Sequence, residues 1–477
     1  MFFEAVGWRI TEIPESGINK KFREKEKYCI AELRTNEKIY IIKDFPCLSR
    51  QEQALIEQVF GELLELKRPS SAISAKALIA EFCEKNLIEL EKDQLEYLSQ
   101  VLESTINGFG VLDNFLANEN IEEIAVTGAG KKHPMFVYEK NFGWLATNAF
   151  FQRKENIVNL ANKMAMKIGR QLGHQTPILN AFLPDGSRLN ACIPPVSAEP
   201  TITIRKFSKT PFTPLDLLNK KTISAPALAF LWLAMKTDLS AIISGNTGSG
   251  KTTTLNSLFS FVPKNERIIV AEETPEIRLF HSHTARLKTV EQIGVFMNEI
   301  VTNTLRMRPD RVIVGEVRTR EETSAFMNTI LAGQGKGSIA TFHGQSASET
   351  ISRLKKLGAQ DTELLALDLV IVQKRWDNVS LKNRTRKEVR KITEIAEIRQ
   401  TENGIVPVVL FEFDYKKNKL EQKNVGERVI GKICRAFGTS KKTMINEINL
   451  RAEFLEKRSR EGISAQEFFE AVNNGFA

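Results

Sequence analysis

Gly245-Asn246-Thr247-Gly248-Ser249-Gly250-Lys251-Thr252 fits the pattern G-x-x-x-x-G-K-[ST] of a phosphate-binding loop. Its flanks agree with that reading. Leu239 to Ser244 (LSAIIS) has the apolar run of a short buried strand, and Thr252 to Val262 has the pattern of a helix. Strand, glycine-rich loop and helix in that order are what the motif requires. Glycines let backbone N–H groups approach a phosphate closely, and the helix N-terminus adds partial positive charge. Gly245 to Thr252, with Thr253, are therefore read as the residues that hold ATP. Lys251 reaches the outer phosphates, and the Thr252 hydroxyl ligates Mg2+.

Outward from the loop, strands and helices alternate. Arg267 to Glu272, Arg311 to Val317, Ser338 to Phe342 and Leu365 to Gln373 read as strands. Val290 to Met307, Glu321 to Ala332 and Ala347 to Leu357 read as helices between them. That alternation implies a mostly parallel sheet covered by helices. Lys391 to Ile398 and Val408 to Asp414 suggest an antiparallel extension, and Thr443 to Phe476 a helical end. The expected domain runs over 225–477. Residues 208–224, with Pro211, Pro214 and a lysine pair, read as a linker. Residues 105–207 read as a mixed α/β domain, with Glu155 to Leu172 as a helix, Gly143-Trp144 as a turn and Thr201 to Phe207 as a strand. In residues 1–104, two short strands precede helices over Gln51 to Lys67 and Ala75 to Ser104. The fold class is α/β throughout.

At 477 residues the chain has room for roughly two to four domains. Hydrophobic residues at 42% and charged residues at 26% match ordinary globular proteins, which excludes a disordered or fibrous chain. A net charge of +9 admits nucleic acid, an anionic membrane surface or an acidic partner, and equally a merely solvated surface. Cys29, Cys47, Cys83, Cys192 and Cys434 lie far apart with no C-x-x-C, which argues against a zinc knuckle or disulfide framework and suits a reducing compartment. Glu4 interrupts the apolar run at Met1 to Trp8, so no signal peptide is expected. Pro226 to Met235 is too short to span a bilayer. The expectation is a cytoplasmic protein, peripheral to a membrane at most.

A nucleotide hydrolase needs a carboxylate to orient Mg2+, a group to activate water, and positive charge for the transition state. The strand Arg311-Val312-Ile313-Val314 runs into Gly315-Glu316, an apolar strand ending in a carboxylate as in a Walker B element. Glu316 is the metal-orienting candidate. Glu272 ends another strand and is taken as the general base, with Glu276 in a supporting role. Thr341-Phe342-His343-Gly344 ends a third strand, where His343 either senses the γ-phosphate or is structural. His281 and His283 form H-x-H near Glu276, a pattern more in keeping with a surface segment than a metal site. Arg306, Arg308, Arg311, Arg318 and Arg320 surround the Walker B strand, as phosphate-facing groups or ion-pair partners. Lys382 to Lys391 (KNRTRKEVRK) is the strongest basic cluster; without interleaved aromatics it reads as a solvated hairpin rather than a nucleic-acid patch.

Gly245 to Thr252, Glu272-Glu273-Thr274-Pro275-Glu276, Leu305 to Arg311 with Gly315-Glu316-Val317-Arg318, and Thr341-Phe342-His343 together resemble the Walker A, Asp box, Walker B and His box of the type II/IV secretion ATPase superfamily. Pro184 to Asn190, Pro194-Pro195 and Ile204 to Phe207 resemble the end of that family's N-terminal domain. The chain looks most like the archaeal branch that powers archaella, pili and related filaments, and it lacks the four-cysteine insertion of many bacterial members. It departs from the family at Glu273, where aspartate is usual. The resemblance implies an N-terminal α/β domain, a RecA-like motor domain and a homo-hexameric ring, with ATP and Mg2+ bound between the domains. Arg188 and Arg205, by motif position, would face phosphate, and Arg318 would lie near the site. The implied partners are an integral membrane platform protein and, through it, pilin-like filament subunits, at the inner face of the cell membrane. A DNA-translocating RecA-like ATPase is the alternative the charge permits, though the boxes disfavour nucleic acid. A ring that binds ATP without turnover is the non-enzymatic one.

Overall fold

The computed structural model describes residues 8–43, 49–65, 74–166, 169–207, 211–290, 293–332, 335–380, 385–402 and 404–474. The chain forms two compact units, Met1–Ser208 and Lys209–Ala477.

The first unit is built on one sheet. Its strands are β1 (Trp8–Ile10), β2 (Ile18–Glu24), β3 (Tyr28–Leu33), β4 (Lys38–Ile42), β5 (Ile121–Val126), β6 (Pro134–Glu139), β7 (Gly143–Phe151), β8 (Ile178–Phe182), β9 (Arg188–Cys192) and β10 (Thr201–Arg205). Their spatial order is β2-β3-β4-β7-β6-β5-β10-β9-β8, with β1 added to β7. Alternation decides which face is inside. Ile202 and Ile204 are buried, whereas Thr201, Thr203 and Arg205 face outward. Gly143-Trp144, expected as a turn, opens β7 instead. The helix Lys154–Met166 packs Ile157, Ala161 and Met164 into the same core.

The helix expected over Ala75 to Ser104 is two helices, Ala75–Lys85 and Lys92–Ile106. Leu87 between them has φ +56°, which helical backbone does not allow, and a reciprocal Glu91–Gln94 cap starts the second. With Arg50–Glu65 they enclose a small separate core that includes Ile56, Ile79 and Leu102.

The second unit carries β11 (Ala241–Gly245), β12 (Ile268–Glu272), β13 (Thr284–Lys288), β14 (Arg311–Val314), β15 (Ser338–Phe342), β16 (Leu369–Ser380), β17 (Thr385–Thr401), β18 (Gly404–Asp414) and β19 (Lys419–Gln422). Their order is β13-β12-β14-β15-β11-β16-β17-β18-β19. The first six in that row are parallel and the rest form an antiparallel meander. β11, β12, β14 and β15 are buried along their whole length, as strands covered on both faces are. The apolar segment at Pro226 to Met235 is a helix, Ala225–Met235, sunk in this core, where Trp232 stacks on Phe261 at 5.0 Å. Among the described residues no helix is long and apolar enough to cross a membrane.

Two local expectations change. Within residues 208–224, Pro214–Asn219 form a short helix with a Thr213–Asp216 cap, and Leu215 and Leu217 enter the core. Thr-Pro reads as a loop breaker, yet proline is also favoured in the first turn of a helix. The helix expected over Val290 to Met307 is confined to Met297–Thr304. Val290 instead bridges Val295, and Gly294 has φ +77°. Part of the basic cluster, 382–384, lies outside the described residues.

Candidate functional site

Parallel strands bring their C-terminal ends to one edge of the sheet, where open α/β sheets bind ligands. β11 delivers the phosphate loop there. Gly248 (φ +72°) and Gly250 (φ +95°) are left-handed, a conformation that costs any other residue strain. A Cβ on Gly245 would lie 2.0 Å from the Gln373 carbonyl oxygen, so the first glycine is required by the neighbouring strand. The helix Lys251–Phe259 starts directly after the loop. Lys251 is buried, and its Nζ turns back on the carbonyls of Gly245 (3.3 Å) and Asn246 (3.5 Å). Burial pulls its pKa down, and the charges of Glu316 and Glu276 act the other way. The Ser249 hydroxyl is buried with no hydrogen-bond partner among the described residues. A helix N-terminus, a lysine making only long contacts to loop carbonyls and an orphaned hydroxyl together fit a phosphate group. Thr252 and Thr253, half-buried at the start of the helix, are placed to add hydroxyls to it.

The carboxylates lie on the β15 side of the loop. Glu316 follows β14; one oxygen accepts from Arg318 Nε at 2.8 Å and the other meets His343 Nε2 at 2.5 Å. Arg318 Nη1 also binds Glu273 at 2.7 Å. Glu273, whose role the sequence left open, is thus an anchor for Arg318. Burial and the charges of Lys251 and Arg318 lower the His343 pKa more than Glu316 raises it. The imidazole is therefore neutral near pH 7, and its contact with Glu316 is a hydrogen bond rather than an ion pair.

Glu272 ends β12 and is 4% exposed. Its Oε1 accepts from the N–H groups of Glu276 (2.9 Å) and Ile277 (2.8 Å). Burial nevertheless pushes its carboxyl up to about 7, because desolvation outweighs those two donors. A Cβ on Gly315 would touch Glu272 Cγ at 3.3 Å, so glycine lets β14 bring Glu316 in beside it. Gly315 is held in turn by Thr341, whose hydroxyl donates to its carbonyl at 2.5 Å.

The loop after β15 is fastened to β11. Ser244 Oγ donates to the Gly344 carbonyl at 3.2 Å and accepts from Thr350 Oγ1 at 2.8 Å. Gly344 has no room for a side chain: its Cβ would lie 2.6 Å from Thr350 Oγ1.

The remaining candidates divide. Arg188 and Arg205 belong to the first unit, where they stand directly opposite each other on β9 and β10, both exposed. Neither has a hydrogen bond or ion pair among the described residues, and like charges in register are unfavourable unless an anion joins them. Arg311 faces inward: fully buried, it pairs with Glu266 at 2.8 Å. His281 is buried against the Val262 carbonyl and His283 lies 2.5 Å from Arg267. No group of three metal-ligating side chains occurs among the described residues.

One set of residues escaped the sequence reading. Asn246 exchanges two hydrogen bonds with the backbone of Arg375, at 2.8 and 2.9 Å, and Gln373 accepts from Thr254 at 2.5 Å. The phosphate loop is thereby tied to β16. The only sequence signal was that the expected strand Leu365 to Gln373 runs on without a breaker; the observed β16 starts later, at Leu369, because Asp361–Ala366 is a helix, and continues to Ser380.

The family model of the type II/IV secretion system protein matches residues 107–472. The chain belongs to this family. An uncharacterized protein of Methanocaldococcus jannaschii is 30% identical over 392 residues, covering 78% of this chain and 68% of its own length. A second protein of that organism is 38% identical over 249 residues, 49% of this chain and 34% of its own, so this chain spans about a third of that relative. Among solved structures, the ATPase DotB of Legionella pneumophila is 18% identical, with a TM-score of 0.44 over 76% of this chain and 95% of that one. The expected membership in the secretion ATPase family thus holds, and so does a mixed α/β fold with two sheets.

Proposed function

We propose that this secretion-family protein is a Mg2+-dependent ATPase, RecA-like in its second unit and hexameric, that drives a filament or secretion machine at a membrane platform protein. The observation that carries the chemistry is the gathering of Lys251, Glu316, His343 and Glu272 at the ends of adjacent parallel strands. The expected domain limits, 105–207 and 225–477, correspond in this reading to the family's N-terminal and motor domains.

The backbone of Gly245 to Thr253 cradles the phosphates, and Lys251 moves from the loop carbonyls to the β- and γ-phosphates. Thr252 and Glu316 would hold Mg2+, which would supply neutralisation of charge on the phosphate oxygens. Glu316 would be released from Arg318 to do so, which would leave a guanidinium beside the site for the transferred phosphoryl group. Glu272, with a pKa near 7, accepts the proton of the attacking water. His343 stays neutral and links Glu316 to the loop after β15. Arg188 and Arg205 supply further positive charge, with the anion relieving their mutual repulsion. A location at the inner face of the membrane, with anionic lipid as a further contact, follows from the proposed partner.

Phosphate release by the full chain tests the reading. Wild type should turn over ATP in the presence of Mg2+, and Lys251→Ala should lose at least 100-fold, on the order of removing one transition-state contact. Turnover at the wild-type rate in Lys251→Ala refutes the site.

A further inference from the structure

The sheet has two flanks beside the phosphate loop. β15 borders β11 on one side, and beyond it β14 and β12 carry the carboxylates. β16 borders β11 on the other, with Gly245 in register with Gln373. Arg375, two residues further, lies alongside the loop itself. Its guanidinium occupies the space a Gly248 side chain would need: Nη1 is 2.7 Å from that Cβ position. Arg390 stands opposite Arg375 on β17, and its Cδ approaches the Cβ position of Gly250 at 4.0 Å.

These two arginines share one carboxylate. Glu388 lies 3.5 Å from Arg375 and 2.8 Å from Arg390, which leaves a net positive charge against the loop. Both guanidiniums are part-exposed, at 42% and 40% of the side chain, yet Arg390 Nε is shielded from water and has no partner among the described residues. A shielded, unpartnered donor beside a ligand loop is costly unless something accepts from it.

We infer that Arg375, Glu388 and Arg390 form the contact for the nucleoside end of the bound nucleotide. The inference rests on the phosphate-loop reading. With the terminal phosphate on the Glu316 flank, the ribose and base of a nucleotide in the loop extend toward the β16 flank. Planar guanidinium groups stack on a purine ring, and a carboxylate accepts from ribose hydroxyls. The contact is made equally by ADP and ATP, so it contributes uniform binding and not transition-state stabilisation.

The test compares ADP with inorganic tripolyphosphate, which has the phosphates and no nucleoside, by titration calorimetry on the full chain. Variants are Arg375→Ala and Arg390→Ala; the Arg375 backbone still holds Asn246 in the first. Each should weaken ADP about tenfold, leave tripolyphosphate within twofold, and raise KM for ATP with kcat within twofold. Equal weakening of both ligands would mean a phosphate contact or a damaged loop, and unchanged ADP affinity would mean no contact; either overturns the inference. If wild type binds neither ligand, the phosphate-loop reading fails and takes this inference with it.

Discussion

The burial of Glu272, the proposed base, has consequences that pH and a single substitution expose. Its carboxyl titrates near 7 in the fold against an ordinary 4.5, because it is buried with only two backbone donors. If its ionised form takes the proton from water, kcat/KM of the free enzyme should carry an acid limb near pH 7. From the titration curve, the rate constant at pH 6 should be about tenfold below that at pH 8, and at pH 5 about 90-fold below. An unshifted carboxylate would leave the pH 6 rate essentially unchanged. Stability should move the opposite way. Between pH 4.5 and 7 the folded chain keeps a proton that the unfolded chain releases, so stability falls as pH rises through that window. The full loss is about 3 kcal/mol at 1.36 kcal/mol per unit. Glu272→Gln keeps an oxygen for both backbone donors and removes the charge. It should therefore lose about 100-fold or more in turnover, lose the acid limb, and melt higher than wild type at pH 8 but not at pH 5. The assays are kcat/KM across pH 5–8.5 and thermal denaturation at both ends. A flat wild-type profile down to pH 5, or a Gln variant less stable at pH 8, refutes the reasoning.

Gly245→Ala should destabilise by about 1–3 kcal/mol in urea unfolding and abolish nucleotide binding, because β11 and β16 cannot part without breaking their pairing; a variant of wild-type stability would contradict the close approach. Arg311→Met should cost about 3–5 kcal/mol by leaving Glu266 buried with only Lys336 beside it, and adding Glu266→Gln should recover part of that in the same unfolding experiment.

The second unit was legible because its strands are short apolar runs that end in polar residues at the same edge. Ser338–Phe342 was read to its observed ends, since five buried residues between a glycine and a histidine admit little else. The misread helices share a cause. Leu87-Ile88 and Ile293 continue an apolar pattern across a residue whose backbone is left-handed, Leu87 itself in one case and Gly294 in the other, and side-chain spacing carries no record of φ. For Arg311 the reading left phosphate-facing and ion-pair roles open; it is an ion-pair partner, and the choice was not legible because its partners, Glu266 and the Met235 carbonyl, come from distant segments. The Arg375–Arg390 pair was hidden for the same reason: its place beside the phosphate loop comes from β16 pairing with β11, a contact between residues more than a hundred positions apart.

Ser244, Gly344 and Thr350 fasten the root of the phosphate loop to the root of the His343 loop. Two strands that would meet opposite ends of one triphosphate are thereby held at constant spacing, and the gap between them acts as a fixed gauge. In the proposed reading, telling ATP from ADP would then require no sliding of strands, only a third phosphate to draw the Arg318 guanidinium away from Glu316.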